Sequence, residues 1–157
     1  MILGPQRPDL KDLVEVPRFL GATKRSVHPL SGVGPTGASI VLGLETGWTV
    51  LLFLSSSCDG CHELWDLART GVLPGVKTRP AVVAVAKETS ESPLQVAALG
   101  GDGTLLSDRA WSDYQIHSGP FFVVVDGPGR RIATEGVAWS VAQITAAVAA
   151  LGPPASP

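Results

Sequence analysis

Cysteine is scarce in this chain, with two among 157 residues. Two exclude a disulfide-stapled scaffold and a four-cysteine zinc site. Methionine occurs once, at position 1, and aromatic residues make up only 6%. Charged residues are thin at 17%, and 12 Lys+Arg against 14 Asp+Glu leave a net charge of −2. No basic excess exists to neutralise phosphates, so nucleic-acid binding has no electrostatic support. A long apolar run is missing as well. The most apolar stretch, 39–56, is interrupted by Glu45 and by Thr46, Gly47 and Thr49 around Trp48. It reads as two strands and a turn, not as a spanning helix of about 20 apolar residues. The first twenty residues lack the basic, then apolar, then small-residue order of a signal peptide. These absences predict a soluble chain of the cytoplasm. The alternative is a membrane-anchored extracytoplasmic domain with its anchor removed.

What is present is enough for one packed core. Hydrophobic residues make up 45%, with 18 Gly and 13 Pro to supply turns. Residues 1–37 mix Pro, Gly and charges of both signs and are expected to form an irregular N-terminal extension. Residues 152–157, Gly-Pro-Pro-Ala-Ser-Pro, are expected to be a disordered tail. Between them, 38–151 reads as the folded domain. Strands are expected over 38–44 and 48–54; the second, Trp-Thr-Val-Leu-Leu-Phe-Leu, suits a central strand buried on both faces. A helix is expected over 59–70, because Leu64, Trp65, Leu67 and Ala68 recur at helical spacing and Gly71 and Pro74 stop it. A second buried strand spans 81–86. Ser92 then caps a helix that has Pro93 at its first position. A short strand at 105–106, a short helix over 108–114, a strong strand at 121–125 and a hairpin partner at 131–135 follow. Ser140 caps a last helix with Val141, Ile144, Val148 and Leu151 on its apolar face. That order predicts an α/β fold, with a central mixed sheet flanked by helices and an antiparallel edge.

Both cysteines lie in Ser55-Ser56-Ser57-Cys58-Asp59-Gly60-Cys61-His62, where a buried strand hands over to a helix. Two thiols three residues apart at such a junction suit a redox pair. A helix start carries unpaired N–H groups and a partial positive charge. A Cys58 thiolate is stabilised there and becomes the attacking sulfur. Cys61, about one turn on, can resolve the mixed disulfide. Other readings compete. Cys58-x-x-Cys61-His62 matches c-type haem attachment literally. Against haem stand the lack of any Met beyond Met1 as a distal ligand, the missing export signal and the strand before the motif. Zinc would need two more ligands from His28, His62, His117 or carboxylates, none at paired spacing. Inert core cysteines are the bland reading, and the serines before Cys58 and Asp59-Gly60 between the pair argue against deep burial. No cofactor and no metal are expected, and His62 reads as a surface residue.

The second informative segment is Tyr114-Gln115-Ile116-His117-Ser118-Gly119-Pro120, directly before the strand at 121. A proline there cannot donate to a sheet ladder. It is either a plain strand-start residue or a constrained turn with a cis bond. In the sharper version Gly119–Pro120 packs beside the dithiol and offers backbone to an extended peptide. Together these features resemble the thioredoxin fold: a buried strand, CxxC at a helix start, a βα unit, a proline before a strand, a hairpin and a terminal helix. The long lead-in, the inserted 108–114 region and Ser55-Ser56-Ser57-Cys58 resemble the TlpA/MauD-type branch of thiol–disulfide oxidoreductases. The resemblance covers about 38–151. It implies a thiol–disulfide oxidoreductase with Cys58 as nucleophile, Cys61 as resolving thiol and Pro120 as the cis-proline. Ser57, Asp59, Gly60, Gly119 and Pro120 would bind the substrate. It also implies a monomer whose partners are a disulfide-containing protein substrate and a redox partner.

The chain departs from that pattern in three places. Ser57 stands where Trp is usual, Asp59-Gly60 replaces Gly-Pro, and Leu52 occupies the position of a buried acid. An acidic Asp59 opposes the helix-end effect on the Cys58 thiolate. A peroxiredoxin motif fails because its proline position is Leu51. Glu63 and Asp66 read as solvent-facing, with Glu63 a candidate proton relay to Cys61. Trp65, Trp111 and Trp139 read as core or groove residues. The rival from another class is a non-catalytic thioredoxin-like module that binds a peptide in the Gly119–Pro120 groove.

Overall fold

A computed structural model describes residues 26–152. The expectations for 1–25 and 153–157 lie outside those residues. Seven strands form one sheet in the order β2-β1-β5-β4-β3-β6-β7. They are β1 (Leu30–Val33), β2 (Ser39–Leu42), β3 (Trp48–Phe53), β4 (Ala81–Ala86), β5 (Leu105–Leu106), β6 (Phe121–Asp126) and β7 (Arg131–Val137). Helices α1 (His62–Thr70), α2 (Pro93–Gly100), α3 (Asp108–Asp113) and α4 (Val141–Leu151) connect or cover them.

β3 is the centre. All six of its residues are buried, as expected for a strand without a solvent face. It pairs parallel with β4 and antiparallel with β6, so the sheet is mixed. Alternation divides its side chains between two cores. Val50 and Leu52 face Leu64, Trp65, Val96, Ile144 and Val148 from α1, α2 and α4. Leu51 and Phe53 face Ala110 and Trp111 of α3, with Tyr114 and Ile116 after it. Burying each such side chain contributes about 1.5–3 kcal/mol.

The helix ends follow local chemistry. Gly71 closes α1 in the left-handed conformation (φ 72°) that glycine adopts without penalty. Ser92, Ser107 and Ser140 cap α2, α3 and α4, each hydroxyl accepting a first-turn backbone N–H. Two expectations need correction. Residues 30–33, placed in the irregular lead-in, form β1, and the antiparallel pairing of β1 with β2 and β5 extends the sheet beyond the expected edge. Leu-Ser-Gly-Val is too short to show alternation. Gly32 lacks the side chain that would collide with the Leu106 carbonyl oxygen, so only the partner explains the strand. The α1 helix also begins at His62 and not at 59, because residues 58–60 turn before Cys61 caps it.

Ser107 ties these parts together. Its buried hydroxyl donates to the Ser31 carbonyl of β1 and accepts the Ala110 N–H at 3.0 Å. Ser107→Ala is expected to destabilise the fold by about 1–2 kcal/mol, the typical cost of a lost cap together with the lost hydrogen bond to Ser31. Urea unfolding measures it.

Candidate active site

The end of β3 and the start of α1 carry the dithiol. Leu54 keeps the chain on the sheet by donating its N–H to Val85 O at 3.1 Å. The chain then leaves through Ser55, Ser56 and Ser57. Two contacts hold this turn: the Cys58 N–H donates to Ser55 O at 3.3 Å, and the Ser57 N–H to Ser55 Oγ at 3.2 Å. A third comes from far along the chain, where Glu91 Oε2 accepts the Ser56 N–H at 3.1 Å. Below the turn, the Trp65 indole N–H points to Ser55 O at 3.4 Å.

Cys58 and Cys61 are joined as a disulfide, with Cα atoms 5.5 Å apart. Their surroundings differ. Cys58 is partly exposed, and its neighbours Ser57, Asp59 and Gly60 are exposed. Cys61 is wholly buried at 0% and packs with Leu54, Leu64, Trp65 and Ala138. The expectation that the polar flanks keep the pair from deep burial therefore holds for Cys58 and fails for Cys61. The flanking serines precede Cys58, whereas Cys61 is already the cap of α1 and belongs to the core cluster that holds Leu64 and Trp65. Its side chain makes no capping hydrogen bond, so the cap does not occupy the first-turn N–H groups.

The second segment comes to the same end of the sheet. In the β3–β6 register, Phe53 lies opposite Phe121, which follows Pro120. The Gly119–Pro120 peptide is cis, as the resemblance implies. A Cβ on Gly119 would sit 2.6 Å from Phe53 O and 3.3 Å from the Trp111 ring, so only glycine fits this approach. Beside it lies a cavity of about 200 Å³, lined among others by Ser55, Lys87, Glu91, Trp111, His117 and Gly119. The Lys87 ammonium sits 4.9 Å from the Trp111 ring centroid. Glu91 was not singled out from sequence. It lies 33 positions after Cys58 in a polar loop, and nothing local marks its reach to Ser56.

Several expectations find their place here. Leu52, in the position of the usual buried acid, is a fully buried core residue. Glu63 and Asp66 are exposed. Glu63 Oε1 accepts the Val141 N–H at 3.4 Å, at the start of α4. Trp65 and Trp111 are core residues, but Trp139 is 74% exposed and belongs to neither core. Among the described residues no group of three or more His, Cys, Asp or Glu side chains is placed to hold a metal ion. No helix among them is long and apolar enough to cross a membrane.

The loop that carries Lys87 and Glu91 is pinned from the other core. The Thr89 hydroxyl and N–H donate to the Asp108 carboxylate at 2.7 and 3.2 Å. The Thr89 hydroxyl hydrogen bond is the main cause that holds the Asp108 carboxyl below the ordinary carboxylate range. A depressed folded pKa means stability that is present above the unfolded carboxylate pKa of about 3.9 and is lost as pH falls through the folded value. Asp108→Asn removes that dependence. Wild type is expected to lose more stability than Asp108→Asn on going from pH 5 to pH 2, as read by urea unfolding at each pH.

No protein-family model matches the sequence, and no curated protein matches it. Solved structures do match in fold. A thiol:disulfide interchange protein of the thioredoxin family from Chlorobium tepidum superposes with a TM-score of 0.59 at 20% identity, over 82% of this chain and 97% of that one. A secreted Mycobacterium tuberculosis disulfide oxidoreductase homologous to E. coli DsbE gives 0.57 at 17% identity, over 77% and 95%. A peroxiredoxin-like protein from Aquifex aeolicus gives 0.59 at 10% identity, over 81% and 85%. The seven-stranded mixed sheet, its flanking helices and the CxxC disulfide at the β3–α1 junction show that this chain has the thioredoxin-like fold.

Proposed function

We propose that this protein is a thiol–disulfide oxidoreductase of the TlpA/MauD type that acts on protein disulfides. The observation that carries the reading is the unequal exposure of the two sulfurs within one disulfide. An external sulfur reaches Cys58, which is partly exposed, and not Cys61, which is wholly buried. That asymmetry supports Cys58 as the attacking and Cys61 as the resolving thiol. The solved structures with this fold that are named as disulfide oxidoreductases and interchange proteins support the same reading.

In the reduced protein the Cys58 thiolate attacks one sulfur of a substrate disulfide. A Cys58–substrate disulfide forms and one substrate thiolate leaves. The Cys61 thiolate then attacks Cys58 Sγ, the mixed disulfide breaks and the second substrate thiolate leaves. Two electrons pass from the dithiol to the substrate, and the Cys58–Cys61 disulfide is regenerated. A dithiol redox partner returns the two electrons by the same steps in reverse. The α1 start favours negative charge on the Cys58 sulfur. The exposed Gly119 and the partly exposed Pro120 offer backbone beside the dithiol turn, and Ser57, Asp59 and Gly60 form the exposed rim that a substrate meets. Nothing in this chemistry requires a second copy of the chain. It proceeds in the cytoplasm, or outside it if the domain is anchored there. The reduction potential of the pair distinguishes a reductase, near the cytosolic poise of thioredoxin at about −270 mV, from an oxidant near −120 mV.

The rival reading, an idle dithiol beside a peptide-binding groove, predicts no turnover. Insulin reduction with dithiothreitol as electron donor separates the two. Wild type is expected to accelerate it, and Cys58→Ser is expected to lower the rate to background. Reduced Cys61→Ser, freed of dithiothreitol before insulin is added, is expected to accumulate a mixed disulfide with insulin that is visible on a non-reducing gel. Equal inactivity of wild type and Cys58→Ser would favour the binding module.

A further inference from the structure

The dithiol turn leaves the sheet at the end of β3. At the opposite end, residues 71–80 carry the chain from α1 to the start of β4, where Ala81 lies opposite Thr49. This segment has no part in the proposed reaction. It holds no regular secondary structure, yet it is fixed. The Gly71 N–H donates to Leu67 O at 2.8 Å, and the Val76 N–H to Leu73 O at 3.4 Å. Leu73 and Pro80 are buried, and Val76 packs against the core that α1 covers. Against the segment lies a cavity of about 760 Å³, lined among others by Val72, Leu73, Val76, Lys77, Arg79 and Pro80. Small-molecule sites occupy about 300–1,000 Å³. The cavity beside Gly119, at about 200 Å³, falls below that range.

The walls of this cavity are one-sided in charge. Lys77 and Arg79 are exposed, and no acidic residue lines the cavity. Among the described residues neither cation forms an ion pair. Beside them Val72 is 65% exposed. The backbone adds a second observation. Three residues of the segment are left-handed: Gly71 at φ 72°, Gly75 at φ 74° and Arg79 at φ 49°. Glycine takes that conformation without strain, and arginine takes it at a cost. What arginine supplies at the third position, and glycine would not, is a guanidinium at the cavity.

We propose that this cavity is a second site, separate from the dithiol, that binds a small organic anion with an apolar body, an aliphatic carboxylate being the simplest case. The fork of N–H donors on Arg79 matches a carboxylate, and the Lys77 ammonium adds a second positive charge. The apolar body covers Val72 and takes it out of water. Walls fixed before binding spare the ordering cost of a loose loop. An apolar cation meets two unpaired positive charges, and an anion without an apolar body gains nothing from Val72. The site does not depend on the oxidoreductase reading.

Titration of the ¹⁵N-labelled full chain, followed through its amide NMR signals, tests this. The probes are octanoate, acetate and octylammonium. Octanoate is expected to shift the amides of residues 71–79 saturably and to bind at least about tenfold more tightly than either other probe, the scale of one charge-assisted hydrogen bond. Arg79→Gly takes the left-handed backbone without strain, so it tests the guanidinium and not the fold. It is expected to weaken octanoate binding about tenfold, as is Lys77→Gln at an exposed position. Both variants are expected to keep the wild-type rate of insulin reduction. Octanoate that leaves residues 71–79 unshifted at millimolar concentration would overturn the assignment. So would acetate or octylammonium binding as tightly as octanoate, or an Arg79→Gly chain that binds octanoate like wild type. A wild type that binds octanoate as expected but does not reduce insulin would overturn the oxidoreductase reading and leave this site standing.

Discussion

The antiparallel pairing of β3 with β6 is the constraint from which the site follows. Six residue pairs run from Trp48 opposite Asp126 to Phe53 opposite Phe121. Because every side chain of β3 is buried, a one-residue slip would exchange the two cores, and the register is therefore strongly specified. That register brings the end of β3 and the start of β6 to the same edge of the sheet. The dithiol turn leaves β3 there, and Pro120 enters β6 there. Two segments about sixty positions apart meet because a buried strand cannot shift. The parallel pairing of β3 with β4 adds the third part, since the loop after β4 carries Glu91 back to Ser56.

Around that edge, chemistry depends on unequal packing. Cys61 caps α1 and is buried in the core cluster that includes Leu54, Leu64, Trp65 and Ala138, while Cys58 follows a turn of serines and is partly exposed. In the proposed reaction, a dithiol with one sulfur reachable and one enclosed releases its substrate instead of remaining bound to it, because the second sulfur is already next to the first. The turn itself is held from three directions. Ser55 bonds it locally, Glu91 holds it from the β4–α2 loop, and Asp108 holds that loop through Thr89. Both sides of the sheet thus contribute to the position of one short segment.

The strands and helices were legible in the sequence where local pattern decides them. Trp48–Phe53, Ala81–Ala86 and Phe121–Val125 are short, largely apolar runs rich in strand formers, bounded by turn residues. Ser92, Ser140 and Gly71 mark helix ends through chemistry that acts within one turn. β1 was not legible. Leu30–Val33 has no alternation of its own and exists because β2 and β5 pair with it. For Trp139 the sequence left core and groove both open. Composition says that tryptophan is usually covered, and only the closed core shows that none of it remains for this one.

The sequence by itself determined the fold class, the central strand, the helix boundaries marked by caps and the concentration of all cysteine chemistry at one strand-to-helix junction. Those properties depend on residues a few positions apart, whose geometry the backbone periods of helix and strand dictate. Tertiary structure decided which sulfur is open to solvent, that Gly119–Pro120 stands beside the end of β3, that Glu91 grips the dithiol turn and that Trp139 stays outside both cores. Each of these is a matter of burial or of contact between distant segments. Burial depends on which elements cover a residue, and local pattern does not specify the covering partner.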